Sequence, residues 1–475
     1  MTVRRSRLFL LLGLFLFIQF EPSGHKATRI NAAYPHIGYG VNAFSATDSG
    51  IQAMGFDWTK AFGGIWWRFP HRVLRRVDVN AGTLNDLNAW GDWLEAEAAA
   101  QAPYVEAWEM GNEPNLGVSY GWNAPPNAAD YTRVLCEAYT RIKRADPSAV
   151  VVSAGLAVTG RIPFTWNGHK GYCAPGIEWC PIYYQDEREF LREMLAAGAG
   201  ACFDALGFHP YGFGAPATAA PGSPECGPND FCFRTVEVAH SIMADEFGVN
   251  KPVWATEFGW LVDPRQVGES SCWNDPVFSG WQWQVVSPEQ QAQYLRDAYT
   301  YADANYPWMQ GMFVFDYGFR EGTTGCDPMR FFDIKGRPAE SALASLSKNK
   351  VPVQVSVPSS VGFLVDVNAP TPQQGALRFQ SQTYDPIAWS VESVSSPAFT
   401  LTVHQNAGSE QEALTFTADP TGLGVGTYNA TIQVRVGAQS PLDTTVPTEN
   451  DIRTITITLH VVETIHRVAL PFIAH

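Results

Sequence analysis

The chain has 475 residues, which is too long for one ordinary domain, and its 45% hydrophobic residues are enough to fill a large core. Charged residues make up only 17%, which argues against a disordered chain. The net charge of −15 disfavours nucleic acid, anionic membranes and highly anionic polymers as partners, because each of these is bound through a basic surface.

The first 33 residues are predicted to be a signal peptide or an N-terminal anchor with its leader. Arg4, Arg5 and Arg7 precede an apolar run over residues 8–20, which is too short for a comfortable membrane span. No pair of small residues with cleavage-site spacing follows closely, so the segment can also be retained as an anchor. We expect a secreted protein, with N-terminal anchoring as the alternative, and no other integral membrane domain.

Residues 34–350 alternate short apolar runs with amphipathic stretches, a pattern typical of a parallel sheet with crossover helices. The predicted strands are Ile37–Asn42, Trp58–Phe62, Val73–Val79, Tyr104–Met110, Val150–Ala154, Ala205–Phe208, Val253–Thr256 and Gly311–Phe315. The predicted helices are Leu84–Ala100, Ala129–Ala145, Glu187–Ala197, Thr235–Phe247, Pro288–Ala304 and Ala339–Ser347. Eight such units in this length predict an α/β fold, a (β/α)8 TIM barrel.

One connection in this barrel fits badly. Only about ten residues separate predicted strands two and three, and a full crossover needs roughly a dozen or more. Either the helix between these strands is missing or the positions of the strands are wrong.

Residues 351–463 change to a period-two alternation that predicts a small all-β immunoglobulin-like sandwich. The stretches WSVESVSSPAFTLTV and LTFTADPTGLGVGTYNATIQVRV resemble the BACON family of immunoglobulin-like modules. Such modules often accompany carbohydrate-active enzymes, so the resemblance implies a spacer, with sugar binding as the second interpretation. Residues 464–475 form a C-terminal tail.

Two glutamates stand at the predicted ends of strands four and seven. Glu113 lies in WEMGNEPN, residues 108–115, and Glu257 lies in VWATEFGW, residues 253–260. The carboxyl ends of barrel strands form the active site, and strands four and seven face each other across the mouth. A retaining glycosidase needs two carboxyl groups about 5 to 5.5 Å apart, one as nucleophile and one as acid. A loop cap would explain either glutamate alone, but the pair in this order indicates that chemistry.

These motifs resemble clan A glycoside hydrolases, in particular family 39-like and family 5-like members. The resemblance implies that Glu113 is the general acid/base, that Asn112 is its amide neighbour and that Glu257 is the nucleophile. His209 and Tyr211, in GFHPYGF, match positions that orient the nucleophile and the sugar. A satisfied core histidine is the alternative interpretation of His209.

The sequence also departs from the clan pattern. Gly111 precedes Asn112 where tryptophan is common, and GNEPN is also similar to family 79 members that cut uronic-acid polymers. The strand-eight aromatic residue is commonly tryptophan, whereas here Phe315 and Tyr317 are the candidates. An arginine near the nucleophile is usual in this clan. The candidates for that position are Arg68, Arg75 and Arg76.

Seven tryptophans fall in the predicted loops above the barrel, where they either stack on sugar rings or pack the loops. They are Trp122, Trp166, Trp179, Trp260, Trp273, Trp281 and Trp283. Trp260, three residues after Glu257, is the one predicted to contact substrate.

The eight cysteines all lie between Cys136 and Cys326, and an even number in an exported chain implies disulfides. The predicted pairs are Cys173–Cys180, Cys226–Cys232 and Cys272–Cys326, with Cys136 and Cys202 left over. No metal-ligand spacing and no phosphate loop is seen, so neither a metal nor a cofactor is expected.

The sequence therefore predicts a retaining glycoside hydrolase acting on β-linked oligo- or polysaccharides by double displacement. A transglycosylase on the same scaffold is the second interpretation. A non-catalytic carbohydrate-binding protein is the third, although such descendants usually lose a catalytic carboxylate.

Overall fold

A computed structural model describes residues 37–147, 149–160, 171–172, 183–348, 355–381, 387–409, 412–438, 447 and 452–464. The predicted leader, the tail after residue 464 and the predicted Cys173–Cys180 pair lie outside these residues. Within them, no helix combines the length and the apolar character needed to cross a bilayer.

Eight parallel strands within the described residues form one sheet that closes on itself. In chain order, barrel strands 1 to 8 are Gly38–Ala43, Trp58–Ala61, Arg72–Val77, Ala107–Met110, Val150–Ser153, Leu206–His209, Val253–Phe258 and Met309–Tyr317. Strand 1 pairs with strands 2 and 8, and the sheet continues to strand 5 on one side and strand 6 on the other. Leu156–Ala157 extends strand 5 and pairs in parallel with strand 6, so the predicted (β/α)8 barrel is confirmed.

The barrel interior is filled by large side chains rather than left as a channel. Trp58 and Trp254 meet edge to face with ring centroids 5.1 Å apart, and Phe313 stacks on Trp254 at 5.8 Å. Smaller residues such as Leu74 and Ala107 complete this cluster, which is distinct from the apolar layer between strands and helices. Because the interior is packed, the polar chemistry is confined to the carboxyl ends of the strands.

Helices cover the outside of the barrel, and most of the described α-helices begin at a side-chain cap. Ser287 accepts a hydrogen bond from the backbone N–H of Gln290, whose side chain reciprocates in a capping box. The α-helices are Ser49–Ala53, Leu87–Gln101, Ala128–Ala145, Glu187–Ala196, Thr235–Ser241, Pro276–Ser279, Pro288–Asn305, Met329–Phe332 and Pro338–Ala344, and a π-helical turn occupies Ile242–Glu246. Short 3₁₀ turns occupy Ala81–Asp86, Ala199–Ala201, Pro264–Gln266, Ser270–Asn274, Gln282–Gln284 and Phe319–Glu321.

Strands 2 and 3 are joined without a helix. Residues 62–71 run from one strand to the next as turns and irregular chain, although the two strands pair in parallel. The missing-helix alternative is therefore the correct one.

The C-terminal segment contains two β-sheets that share one hydrophobic cluster around Trp389. The five-stranded sheet has the order Ser360–Asp366, Ile452–Val462, Gly426–Ala438, Ile387–Ser395 and Ala407–Ser409. The three-stranded sheet has the order Gln373–Leu377, Leu414–Asp419 and Thr400–Val403, and Val355–Ser356 pairs separately with Gln380–Ser381. The all-β prediction is confirmed, while the domain boundaries and the BACON resemblance stay predictions.

Three disulfides join cysteines of the described chain. Cys226–Cys232 and Cys272–Cys326 are the predicted pairs, and both are confirmed. The two cysteines left over also pair, so that Cys136 on the helix Ala128–Ala145 is bonded to Cys202 just before strand 6. The sequence did not indicate this bond, because its two cysteines are 66 residues apart and do not bracket a single loop.

We expect the Cys136–Cys202 bond to contribute more stability than the local Cys226–Cys232 bond. In the chain-entropy model, a loop of 66 residues corresponds to about 4 kcal/mol and a loop of six to about 2 kcal/mol. Urea unfolding of the double variants Cys136→Ala with Cys202→Ala, and Cys226→Ala with Cys232→Ala, measures both losses. Equal losses, or a larger loss for the short loop, would contradict the expectation.

Candidate active site

Three side chains converge at the carboxyl ends of the barrel strands. Glu257 lies near the end of strand 7, His209 is the last residue of strand 6, and Glu113 follows strand 4 by three residues. One ligand atom from each lies within 4.8 Å of those of the other two. The barrel therefore brings together the two glutamates that the sequence singled out.

The backbone after strand 4 makes a turn that only certain residues tolerate. Gly111 has φ +99°, and a Cβ atom there would lie 2.7 Å from Val79. A tryptophan at position 111 would therefore be strained, which explains this departure from the clan pattern. Glu113 itself has φ +41°, and its N–H donates to the carbonyl of Gly155. A non-glycine residue held in the left-handed region is typical of functional sites.

Lys60 on strand 2 belongs to the candidate site, and the sequence analysis missed it. Its ammonium Nζ is wholly buried, 2.9 Å from Glu257 Oε1 and 2.7 Å from Glu109 Oε2. Its signal in the sequence was a single lysine within the short strand WTKA, which has no other charged residue. A buried cation of this kind has to be paired, and here it pairs with two carboxylates.

One of the three candidate arginines lies near the nucleophile position. Arg76 Nη1 lies 4.0 Å from Glu257 Oε1 and donates to Asn112 Oδ1 at 3.0 Å. Arg68 is instead paired with Glu106, and Arg75 with Glu97. Arg76 is therefore the arginine of the site, and Asn112 is fixed by it and by donation to the carbonyl of Tyr120.

The surroundings of Glu257 favour its ionised form. Burial alone would raise its pKa, but His209, Lys60 and Arg76 outweigh burial and lower it. Tyr211 donates its hydroxyl to Glu257 Oε2 at 2.8 Å, and the combination of burial with the charges of Glu257 and Glu113 raises the pKa of Tyr211 well above its usual value. Glu257 is therefore an anion held by donors on both oxygens.

His209 carries a positive charge at neutral pH. Burial would lower its pKa, but Glu257, Glu109 and Glu113 together raise it to about 9. Nδ1 lies 2.9 Å from Glu113 Oε1, and Nε2 lies 3.7 Å from Glu109 Oε1. Gly155 allows the ring this position, because a Cβ atom there would lie 2.1 Å from it. His209 is thus buried among the three carboxylates of the candidate site, and its role there stays a prediction.

Glu109 provides a negative charge beside the two cations Lys60 and His209. It is wholly buried, and although burial would raise its pKa, Lys60 and His209 lower it to about 2. Its Oε1 also accepts from the backbone N–H of Gly155 at 3.3 Å. The sequence analysis assigned no role to Glu109, although it lies in the same strand-four motif as Glu113.

Glu113, His209 and Glu257 have the spacing of a metal site, but a metal there would compete with the proton of His209 and with Lys60. A histidine ligand must be neutral, and the pKa of His209 is raised to about 9. Lys60 also occupies one oxygen of Glu257. The arrangement suits acid–base and nucleophilic chemistry better than metal ligation.

Two residues predicted to bind substrate are buried elsewhere. Trp260 is fully buried and donates its indole N–H to the carbonyl of Ala215 at 2.8 Å, so it packs the loops. Tyr317 is buried against the helices, where its hydroxyl donates to Glu340 at 2.9 Å. Phe315 stays a candidate, because its ring centroid lies 6.0 Å from that of Tyr211.

The loop tryptophans divide into packing residues and an exposed one. Trp122 is buried like Trp260, and Trp273 and Trp281 are half-buried. Trp283 is 53% exposed, and Trp166 and Trp179 lie outside the described residues.

No protein-family model and no curated protein matches the sequence. Among solved structures, a family 39 glycoside hydrolase from the gut symbiont Bacteroides cellulosilyticus WH2 matches at 16% identity with a TM-score of 0.42, over 82% of this chain and 81% of that one. A β-glucuronidase of Bacteroides uniformis matches at 11% identity with a TM-score of 0.36, over 87% of this chain and 43% of that one. A GH2 β-galacturonidase from Eisenbergiella tayi matches at 12% identity with a TM-score of 0.36, over 66% and 50%. Similarities of this size establish neither a family nor an activity for the chain.

We expect Lys60→Met to destabilise the fold by about 3 to 5 kcal/mol, because it leaves two buried carboxylates without their cation. Adding Glu109→Gln should recover part of this loss, since the second substitution removes one of the unpaired charges. Urea unfolding at pH 7 measures both effects. Arg192→Met is the control, because it breaks an exposed pair with Glu246 that is worth about 1 kcal/mol or less. A loss for Lys60→Met no larger than for the control would contradict the expectation.

We expect the two buried histidines His209 and His71 to titrate in opposite directions. Burial lowers the pKa of His71 to about 4, whereas the carboxylates around His209 raise its pKa to about 9. The stability that protonated His209 contributes is therefore fully present below its unfolded pKa of 6.5 and is lost as the pH rises through about 9. Nitrogen-15 NMR of the imidazoles at pH 7.5 should show His209 charged and His71 neutral, and the reverse would refute this description of the site.

Proposed function

We propose that this protein is a secreted retaining glycoside hydrolase for β-linked sugars, with Glu257 as nucleophile and Glu113 as general acid/base. The single observation that carries the proposal is the meeting of two carboxyl groups from opposite strands, with oxygens within 4.8 Å, in different surroundings. One of them is held ionised by cations, and the other faces a protonated histidine.

The spacing favours retention over inversion. Retaining pairs have carboxyl groups about 5 to 5.5 Å apart, whereas inverting pairs are about 6.5 to 9.5 Å apart because a water must enter between them. One oxygen of Glu113 lies within 4.8 Å of one oxygen of Glu257, which is compatible with the narrower arrangement.

In the first step, an oxygen of Glu257 attacks the anomeric carbon and forms a glycosyl ester. The bond between that carbon and the glycosidic oxygen breaks, the electron pair goes to the oxygen, and Glu113 gives it a proton. Tyr211 and Lys60 each bind one oxygen of Glu257, so they orient the nucleophile without the need for reorganisation.

In the second step, Glu113 removes a proton from water, which attacks the anomeric carbon and displaces Glu257. Two displacements at one carbon give net retention. His209 suits both steps, because its charged Nδ1–H can donate to Glu113 whenever that carboxyl group is ionised.

The proposed localisation rests on the disulfides, and the finer assignment rests on the sequence motifs. Three disulfides in the described chain are compatible with an oxidising, extracellular compartment. The family 39-like or family 5-like assignment and the spacer role of the β-sandwich remain part of the proposal and rest on the sequence motifs.

The two glutamates should be separable by azide. In Glu113→Ala, an aryl leaving group with a low pKa still departs, but the glycosyl-enzyme accumulates because no base activates water. Azide needs no base, so it should restore turnover and give a β-glycosyl azide of retained configuration. In Glu257→Ala, azide can only replace the nucleophile and should give the inverted product.

Proton NMR of the azide products from 2,4-dinitrophenyl β-glycosides decides the assignment. Glu225→Ala, an exposed loop substitution outside the site, serves as the control and should retain wild-type turnover. Opposite configurations would reverse the two roles. Full activity in both glutamate variants would place the reaction elsewhere.

A further inference from the structure

Three aromatic rings pack together in the loops that follow strands 6 and 7. Trp283 stacks on Phe213 with centroids 5.6 Å apart and an interplanar angle of 18°. Phe231 lies 4.7 Å from Phe213 and 5.4 Å from Trp283. We call Phe213, Phe231 and Trp283 the distal aromatic cluster.

The distal aromatic cluster lies on the same face of the barrel as the two carboxyl groups. Phe213 is two residues beyond Tyr211, which binds Glu257. Between them, the N–H of Gly212 donates to the carbonyl of Gly259, two residues after Glu257. The loop carrying the cluster is therefore fixed to the strand end that carries Glu257.

Packing explains Trp122 and Trp260, but it does not explain Trp283. Trp122 and Trp260 are buried, whereas Trp283 is 53% exposed although its indole is large and apolar. Phe213 packs on the indole in an offset, nearly parallel stack and Phe231 packs beside it, yet about half of Trp283 stays open to solvent. Phe213 holds this position with φ +51°, a conformation that a bulky residue rarely adopts.

A second aromatic surface lies across the barrel mouth. Phe62, directly after strand 2, is 38% exposed and packs on Arg76 at 4.7 Å and on Phe319 at 5.6 Å. Strands 2 and 6 are opposite each other in an eight-stranded barrel with this order. Aromatic faces thus stand on opposite rims, with the carboxyl pair between them.

We propose that the distal aromatic cluster is a sugar-binding subsite, and that the substrate is a neutral β-linked sugar chain lying across the barrel mouth. This rests on the proposed function. A single sugar at the carboxyl pair would leave both rims unused, whereas a chain places a ring against each aromatic face. The net charge of −15 repels a polyanionic chain and favours a neutral one.

The test is the dependence of kcat/KM on chain length in Trp283→Ala. Its substrates are 2,4-dinitrophenyl β-glycosides carrying one, three or five units of glucose, xylose or mannose. We expect a loss on the order of tenfold for the longest substrates, and a smaller loss for the shortest, because only the long chains reach the cluster. Trp93→Ala is the matched control, since Trp93 is 44% exposed on the helix Leu87–Gln101. Trp283→Phe should recover part of the loss because a stacking face remains.

A second measurement separates this proposal from the proposed function. Titration calorimetry of Glu257→Ala with cello-, xylo-, manno- and laminarihexaose should show binding of at least one hexaose, weakened when Trp283→Ala is added. If the wild-type protein hydrolyses no glycoside but this Trp283-dependent binding is seen, the sugar-binding subsite is supported and the proposed hydrolase function is refuted. Hydrolysis with the same length dependence in Trp283→Ala and Trp93→Ala would refute the subsite alone. Absence of both hydrolysis and binding would refute both.

Discussion

The rest of the site depends on the pairing of the buried Lys60 ammonium with Glu109 and Glu257. A charge without solvent contact is tolerated only when it is paired and hydrogen-bonded, so strands 4 and 7 must each present a carboxylate to strand 2. That requirement fixes three strands at one depth in the barrel. It also fixes the orientation of Glu257, because one of its oxygens is always occupied by Lys60.

The other charges follow from this pairing. Glu109 alone would neutralise the charge of Lys60. Glu257 adds a second negative charge, which His209 and Arg76 compensate. Charges of both signs therefore alternate across the floor of the site. Such a preorganised field stabilises developing charge better than mobile water does, because it need not reorient during the reaction.

The barrel and its two glutamates could be predicted because both depend on local pattern. Parallel strands alternate with amphipathic helices, and residues at strand ends face the mouth whatever their neighbours are. The direction in which a side chain points from a strand is harder to predict. Lys60 is an example, because no pattern in WTKA indicates that its lysine points inward. The pairing of Cys136 with Cys202 was equally hidden, because it depends on how a helix lies against the chain before strand 6.

The predicted role of Tyr317 was wrong although strand 8 was predicted correctly, because one extra residue changes the direction of its side chain. Asn42 pairs with Phe315 and the next residue, Ala43, pairs with Tyr317, so Asp316 is an extra residue on strand 8. Such a bulge changes which side of the sheet the following residue occupies, and Tyr317 turns outward to the helices. Trp260 failed for a related reason, since its loop folds back and takes the indole into the core.

The left-handed backbone of Glu113 has a consequence for the evolution and engineering of this protein. A glutamate at φ +41° is strained by about 1 to 3 kcal/mol, whereas glycine or asparagine adopts that conformation readily. Replacing Glu113, the proposed acid/base, by glycine or asparagine would therefore stabilise the fold, so selection for thermal tolerance alone would favour loss of this carboxyl group. On the proposed function, Glu113 is kept at the expense of stability, and added stability has to come from substitutions elsewhere in the chain.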